Sequence, residues 1–569
     1  MTQPELPFSL IWPEACAQPQ SSGANSTLLD DLNLRLLIRR LAYTPAYEGH
    51  VRGILLSLCA DERVIAYRQA VIADLLDEPE LVAQLEGVLQ TILDLESYLS
   101  APQWKENRLR QVAWRLSELD NYVQCMIGFD GILQNAGGSL RSEGLRQLRE
   151  VVREHVQSPL FHSLRQELPT LLPKIRAVRS ITIGINLDEQ MRPLSAVLLE
   201  ARTQPYSSET LLTRLFGRRG DVSDTERVGP VHDARLLDMG GANFNVELEN
   251  RDSPFMPPLF RDLSDLMDTT SRPIALALRQ FSQISTRFLI ALKNEIAFYL
   301  GAVRLINSLE VAKLPVCRPQ VAPPVDRITH LDGLYNVALA LQLMPRQAEL
   351  ADVIVRNRVH FDEDGRILIL TGPNQGGKTT FTQAVGLAQV MFQAGLYVPA
   401  EAAVISPVDG IYTHFAAEER PEQEAGRLGE EARRLHKIFG QATSQSLVLL
   451  NESLSSTAAN ESLYIARDVV RVLRRLGARV VFATHLHDLA AGCEVLNAET
   501  PGTSRIISVV SRVSVEQGEN GQVVRRTYRI EPGPPMSKSY AVELAARYGI
   551  SYDQLTDLLR QRDLLHGTT

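Results

Sequence analysis

The sequence predicts a multidomain protein. An α-helical first half carries a small β-containing insertion and is followed by an α/β domain built around a glycine-rich loop. Three observations predict this. Apolar residues recur at three and four through much of residues 28–164, the period of helices with one buried face. The β-branched run Ser180-Ile181-Thr182-Ile183-Gly184-Ile185-Asn186-Leu187 then breaks that period. From residue 367 onward, short apolar runs alternate with helical patterns, as in a sheet covered on both faces. The chain has 569 residues, 44% of them hydrophobic, so it can bury several cores, and its length suggests roughly two to four domains.

Charge and cysteine usage narrow the function classes. The net charge is −8, so any nucleic-acid contact must come from a local basic patch. The cysteines (Cys16, Cys59, Cys125, Cys317 and Cys493) are widely spaced and odd in number. That spacing argues against a disulfide scaffold or a CxxC zinc site and for a reducing, cytoplasmic setting. No apolar run approaches the ~20 residues of a membrane span. The first residues lack the basic and long apolar regions of a signal peptide.

Taken in order, residues 1 to about 30 carry few periodic signals and end in SSGANST, which reads as a flexible loop. Helical stripes cover 61–76, 80–99 and 108–133, most simply as helix-on-helix core. Residues 180–187 and 194–199, joined by turn residues 188–193, read as a hairpin. Residues 203–262 are rich in Gly, Pro and Asp and contain Arg214-Leu215-Phe216-Gly217-Arg218-Arg219. Arginines beside an aromatic can grip phosphates and stack on bases, although a solvated loop tip has the same composition. Helical periodicity returns over 274–309, and Pro315, Pro319, Pro323 and Pro324 suggest a stiff linker. The expected division is therefore 1–100, 101–310 (with the insertion at about 180–262) and 311–569. Within the last part, 446–450 and 478–483 read as buried strands and 505–515 with 523–530 as a hairpin. Two short helices, 538–548 and 552–562, close the chain, the second as a frayed tail or a dimerisation helix.

The chemistry gathers around Gly372-Pro373-Asn374-Gln375-Gly376-Gly377-Lys378-Thr379-Thr380. An apolar run precedes this stretch and a helical pattern closed by Gly395 follows it, the order of a P-loop. Glycines let backbone N–H groups turn inward around phosphate oxygens, and the helix N-terminus adds positive potential. Lys378 would reach the β- and γ-phosphates, and the Thr379 hydroxyl would hold Mg²⁺. The apolar run Leu447–Leu450 ends in Asn451-Glu452. Glu452 is the candidate base for an attacking water, and Asn451 the candidate second oxygen on the metal. An amide keeps an oxygen ligand without its charge, so weaker Mg²⁺ binding or slow turnover is expected. His485, after Val480-Val481-Phe482-Ala483-Thr484, is a candidate γ-phosphate sensor. Gly426-Arg427-Leu428-Gly429 opens another helical run. It is either an anion-binding turn offered to a second subunit's site or an ordinary capped helix. Phe361 is a weak candidate for stacking on a base.

Together these residues resemble the MutS family of DNA mismatch-repair ATPases. TGPNQGGKTT is similar to that family's P-loop, YVPAEAAVISPVDGIYTHFAAEE to the segment after it, and SLVLLNES and VVFATHLHDLA to its Walker B strand and histidine switch. SKSYAVELAARYGIS is similar to its closing helical segment. The likeness runs nearly unbroken from about 334 to 552. Residues 61–71 are similar to the start of the family's core domain, and 101–310 to its levers carrying a clamp. The resemblance implies an ABC-type ATPase fold, ATP and Mg²⁺ as cofactors, a homodimer, and ATP-driven movement of levers around duplex or branched DNA. A downstream repair protein as partner is also implied. Asn374 would lie near the γ-phosphate. Two departures stand out: Asn451 replaces the family's aspartate, and Gly426 replaces the serine offered in trans. The expectation is a truncated MutS-like ATPase without the mismatch-recognition domain, working in DNA repair or recombination. The alternative is a nucleotide-switched assembly factor with little turnover.

Overall fold

The structure is a computed structural model that describes residues 8–13, 26–100, 108–176, 180–190, 193–202, 287–347, 349–415, 426–454, 458–518, 521–535 and 549–562. The chain divides into two compact units. One comprises residues 1–86, 135–149 and 291–569, the other 87–134 and 150–290.

The first elements are helices: α1 (Ser26–Asp31), α2 (Leu34–Leu41), α3 (Glu48–Leu56), α4 (Glu62–Asp77), α5 (Pro79–Ser100), α6 (Arg108–Asn135), α7 (Glu143–Gln157) and α8 (Pro159–Arg176). Phe8, Leu10 and Ile11, in the stretch with few periodic signals, are nevertheless buried, α1 begins two residues before the expected helical half, and residues 21–25 of the expected loop lie outside the described residues. Three short apolar side chains need no helical period to find a core. The start of α4 follows its chemistry, with Asp61 capping the helix by accepting from the backbone N–H of Arg63.

In the second unit Leu116, Leu119, Val123, Met126, Phe129 and Leu133 of α6 are buried, the i, i+3, i+7 spacing of one helix face. Tyr122 meets Phe161 edge-on at 6.2 Å and hydrogen-bonds His155. This unit also holds the expected hairpin, β1 (Ser180–Leu187) antiparallel to β2 (Pro193–Arg202).

The first unit continues with α9 (Arg287–Val311), β3 (Gln320–Val321), β4 (Thr329–Leu334), α10 (Val337–Leu343), α11 (Leu350–Val353), β5 (Asn357–Phe361), β6 (Ile367–Thr371) and α12 (Lys378–Gln393). It proceeds through β7 (Ala402–Ile405), β8 (Ile411–Phe415), α13 (Gly426–Phe439), β9 (Leu447–Asn451), α14 (Ala459–Leu476), β10 (Arg479–Ala483), α15 (His487–Ala491) and α16 (Cys493–Glu499). It ends with β11 (Ile506–Gly518), β12 (Gly521–Pro532) and α17 (Tyr552–Gln561). The proline-rich stretch is no free linker. Cys317 exchanges backbone hydrogen bonds with Val398, and β3 pairs with β7. Prolines that flank a two-residue edge strand cost it no ladder donor.

Two sheets organise this unit. The six-stranded sheet runs β12-β11-β6-β10-β9-β8, parallel except for β12. The four-stranded sheet runs β3-β7-β4-β5. Every residue of β6, β9 and β10 is buried, as parallel strands covered on both faces require. On one face Ile367, Ile369, Val448, Leu450, Val480 and Phe482 pack with Val470 and Leu473 of α14. The opposite face is covered by α12. This helix ends as expected at Gly395: the N–H of Gly395 bonds the carbonyl of Phe392 and that of Leu396 the carbonyl of Met391, a Schellman closure. At the start of β10 the buried Arg479 donates to the carbonyls of Ile328, Ser406, Pro407 and Gln445 and to the Thr329 hydroxyl. Those bonds pin the two sheets together and leave the carboxyl ends of β6, β9 and β10 on one edge, where open α/β sheets hold their ligands. Among the described residues no helix is long and apolar enough to cross a membrane.

Candidate functional site

The site begins where β6 runs out. Gly372 has φ +142°, and a Cβ there would meet the Ser511 Cβ at 2.7 Å. Gly377, at φ +90°, is the residue from which α12 starts. These backbone conformations need glycine, and they turn the chain sharply between strand and helix. The loop is also tied down, since the Ser511 hydroxyl donates to the carbonyl of Gly376 at 2.6 Å. Lys378, only 4% exposed, folds back over the loop and donates to the carbonyls of Gly372 (3.1 Å) and Pro373 (3.2 Å). Burial pushes its ammonium below the ordinary lysine value, and the negative charge of Glu452 opposes that shift.

The second part comes from the ends of β9 and β10. The Thr379 hydroxyl, in the first turn of α12, donates to Asn451 Oδ1 at 3.1 Å, so the two expected metal-linked oxygens are neighbours. Glu452, the next residue, has φ +53° and donates its N–H to the carbonyl of Ala483. Left-handed backbone at a non-glycine residue costs about 1–3 kcal/mol. The four buried apolar residues Leu447–Leu450 of β9, each worth about 1.5–3 kcal/mol, outweigh that cost and hold the carboxylate at the sheet edge. His485 Nε2 donates to Glu452 Oε1 at 2.9 Å. That hydrogen bond first, and then the charges of His485 and Lys378, hold the Glu452 carboxyl below its ordinary value against partial burial.

A cavity of about 490 Å³ opens here, within the range of small-molecule sites. Its wall includes Gln375, Gly376, Gly377, Lys378, Thr379, Thr380 and Glu452. Asn374 is exposed, and neither it, Gly372, Pro373 nor His485 belongs to that wall. Gly426 opens α13, so the Gly426-Arg427-Gly429 turn is at a helix N-terminus as expected, and within one chain Gly429 does not line the cavity. Arg214, Arg218 and Arg219 lie outside the described residues.

The stacking candidate needs correction. Phe361 is fully buried, because alternation along β5 turns Val359 and Phe361 inward. Tyr528 of β12 lines the cavity instead, 45% exposed and at φ +57°. Asn357 braces it, donating to the carbonyl of Tyr528 at 3.2 Å and accepting from the N–H of Ile530 at 2.7 Å. Sequence reading missed Tyr528 because a tyrosine in a strand looks like an ordinary sheet former.

Behind Glu452, the buried Glu431 of α13 accepts from the N–H of Leu454 at 2.8 Å, coupling the Gly426 helix to the loop after β9. His414 Nδ1 lies 2.6 Å from Ser453 Oγ. Burial, aided by the Arg434 charge, pushes His414 down to about 4. Its ordinary value is 6.5, so between these two the unfolded chain binds the extra proton. Stability is therefore lost as pH falls through that window, by on the order of 3 kcal/mol. Thermal melts from pH 7 to pH 4 should show this loss, and His414→Gln should flatten it.

The family model described as MutS2 N-terminal domain matches residues 60–312, and that described as MutS domain V matches residues 368–557. The chain is similar to a DNA mismatch repair protein MutS of Chlorobium phaeobacteroides, 24% identical over 524 residues, which cover 88% of this chain and 55% of that protein. A DNA mismatch repair protein MutS of Chlorobium phaeovibrioides is 33% identical over 214 residues, 37% of this chain and 23% of the relative. An Endonuclease MutS2 of Thermus thermophilus is 32% identical over 201 residues, 35% of this chain and 25% of the relative. The matched stretch thus spans about half the length of the first of these relatives and about a quarter of the other two. With two models of one family matching in sequence along its length, the chain belongs to the MutS family.

Proposed function

We propose that the chain binds Mg²⁺-ATP at the Lys378 loop, hydrolyses it, and uses the cycle to clamp DNA as a dimer in repair or recombination. One observation carries the reading: the buried ammonium of Lys378, the Thr379 hydroxyl and the ionised Glu452 carboxylate line one cavity, with the Asn451 amide oxygen 3.1 Å from that hydroxyl. The residues suit the ligand. Among the described residues Lys378 donates to the backbone carbonyls of Gly372 and Pro373, and phosphate oxygens would satisfy it better than neutral carbonyls do. Gly376 and Gly377 keep the wall free of side chains where phosphates approach closely. Thr379 and Asn451 would hold Mg²⁺, and the metal would neutralise charge developing on the phosphates. Glu452 would take the proton of the attacking water, with His485 orienting it. Tyr528 offers a ring for the base. The Gly426 turn would serve a partner subunit's site. Arg214, Arg218 and Arg219 are the proposed DNA phosphate contacts.

The DNA part rests on family membership and on the similarity to DNA mismatch repair proteins MutS. Steady-state ATP turnover measured alone and with homoduplex, mismatched and branched DNA tests it. Stimulation by at least one DNA is expected, and no response to any of them, with no DNA binding at low salt, would remove the clamp. Asn451 favours a second reading, in which the chain is an ATP-dependent assembly switch with negligible turnover. Steady-state turnover separates the two, since a wild type that binds ATP without turnover supports the switch, and Asn451→Asp tests the metal contact. A carboxylate suits a hard cation better than an amide, so the Mg²⁺ concentration for half-maximal turnover should fall about tenfold, ~1.4 kcal/mol. An unchanged Mg²⁺ dependence would take Asn451 off the metal.

A further inference from the structure

The strand pair that leads into the cavity carries a second constellation away from the nucleotide chemistry. His330 of β4 and His360 of β5 are direct cross-strand partners. Their rings lie 4.6 Å apart and tilt by 33°. Two residues beyond His360, and so on the same side of the strand, stands Asp362. The inward positions Thr329, Leu331, Val359 and Phe361 are buried, while His330, His360 and Asp362 are partly exposed. The ladder therefore presents two imidazoles and a carboxylate on one accessible face.

We propose that His330, His360 and Asp362 bind a divalent transition-metal ion of the Zn²⁺ class. One ligand atom from each lies within 4.8 Å of the others. Around a tetrahedral ion with bonds of about 2.0–2.1 Å, ligand atoms stand ~3.3–3.5 Å apart, so small side-chain rotations close the site. Asp362 is already aimed. Its Oδ1 accepts from the N–H of Asp364 at 2.9 Å, and its Oδ2 meets His330 Nε2 at 3.0 Å. An ion would take the place of the proton shared in that contact. Asp332 is a nearby carboxylate that orients rather than binds. Arg358 occupies its Oδ1 at 2.6 Å, and the same oxygen lies 3.3 Å from His360 Nε2. Carboxylates that hold a ligating histidine in this way raise its basicity and fix its ring. Two imidazole nitrogens select borderline metals and disfavour Mg²⁺ and Ca²⁺, which prefer oxygen. The site therefore would not compete for the ion proposed at Thr379. With three protein ligands, the ion would keep an open position for water or a partner's side chain.

The opposite ends of the same two strands reach the cavity, through Leu334 of β4 and Asn357 of β5. A metal clasp at one end would stiffen the pair that braces Tyr528 at the other.

The test uses the full-length chain, free of nucleotide and of any histidine tag, titrated with Co²⁺ and then Zn²⁺. Visible d–d absorption saturating at one Co²⁺ per chain and displaced by Zn²⁺ is the expected result. Thr379→Ala should leave it unchanged, and His360→Asn and Asp362→Asn should each weaken Zn²⁺ binding by more than about tenfold. Zn²⁺ should raise the melting temperature of the wild type and not of Asp362→Asn, which keeps an acceptor for Asp364 and so preserves the local turn. No saturable absorption, or absorption unaltered in both variants, would overturn the proposal.

Discussion

Glu452→Gln is expected to lower steady-state ATP turnover by about 10²- to 10⁴-fold, the span a positioned general base supplies, while ATP binding persists. Glutamine has nearly the same shape and keeps an oxygen for the His485 Nε2–H, so the 2.9 Å contact survives. What it loses is the capacity to accept a proton. Because the His485 hydrogen bond and the Lys378 charge hold the Glu452 carboxyl below its ordinary value, the base stays ionised throughout the neutral range. Wild-type turnover should therefore fall only on acidification below the usual carboxylate range. Single-turnover kinetics with filter-binding of ATP separate the two effects. Turnover preserved in the variant would move the base elsewhere, and ATP binding lost with it would make Glu452 a structural residue.

Lys378→Met should weaken ATP binding by on the order of 30- to 3000-fold, ~2–5 kcal/mol, the usual cost of removing one partner of a buried charged pair. Methionine matches the apolar stem of lysine, and the helix around it is well buried, so the fold should hold. The loss should be concentrated in the triphosphate. AMP, which lacks the β- and γ-phosphates, should bind wild type and variant alike. Equal weakening for AMP and ATP, measured by calorimetry, would mean that the variant had collapsed the cavity rather than removed a charge.

Much of this arrangement was legible in the sequence because it follows from local rules. The strand–loop–helix around Gly372–Lys378, the Gly395 closure, the buried runs ending at Asn451 and Thr484, and the 180–202 hairpin all follow from apolar period and turn residues. Parallel pairing of β6, β9 and β10 then brings Thr379 beside Asn451 and Glu452 beside His485. Partners distant in sequence were harder to read. Period says which face of a helix is buried but not against what, so nothing in Ser26–Asp31 announced that α1 packs on β8. Phe361 and Tyr528 are both aromatic residues in strands, and only the alternation along β5 and the left-handed backbone at Tyr528 sort core from cavity wall. Prolines near 315–324 look like a linker until an edge strand is found to pair with them. The His330–His360 face was invisible because its register depends on a bulge between Leu331 and Leu334.

The central claim is that the buried Lys378 loop holds an adenine nucleoside triphosphate. Isothermal calorimetry of the Mg²⁺-supplied protein with a non-hydrolysable ATP analogue tests it most directly. The expected result is one saturable site per chain with a micromolar Kd, about −8 kcal/mol, weakened in Lys378→Met. No heat of adenine-nucleotide binding by the folded wild type would contradict it.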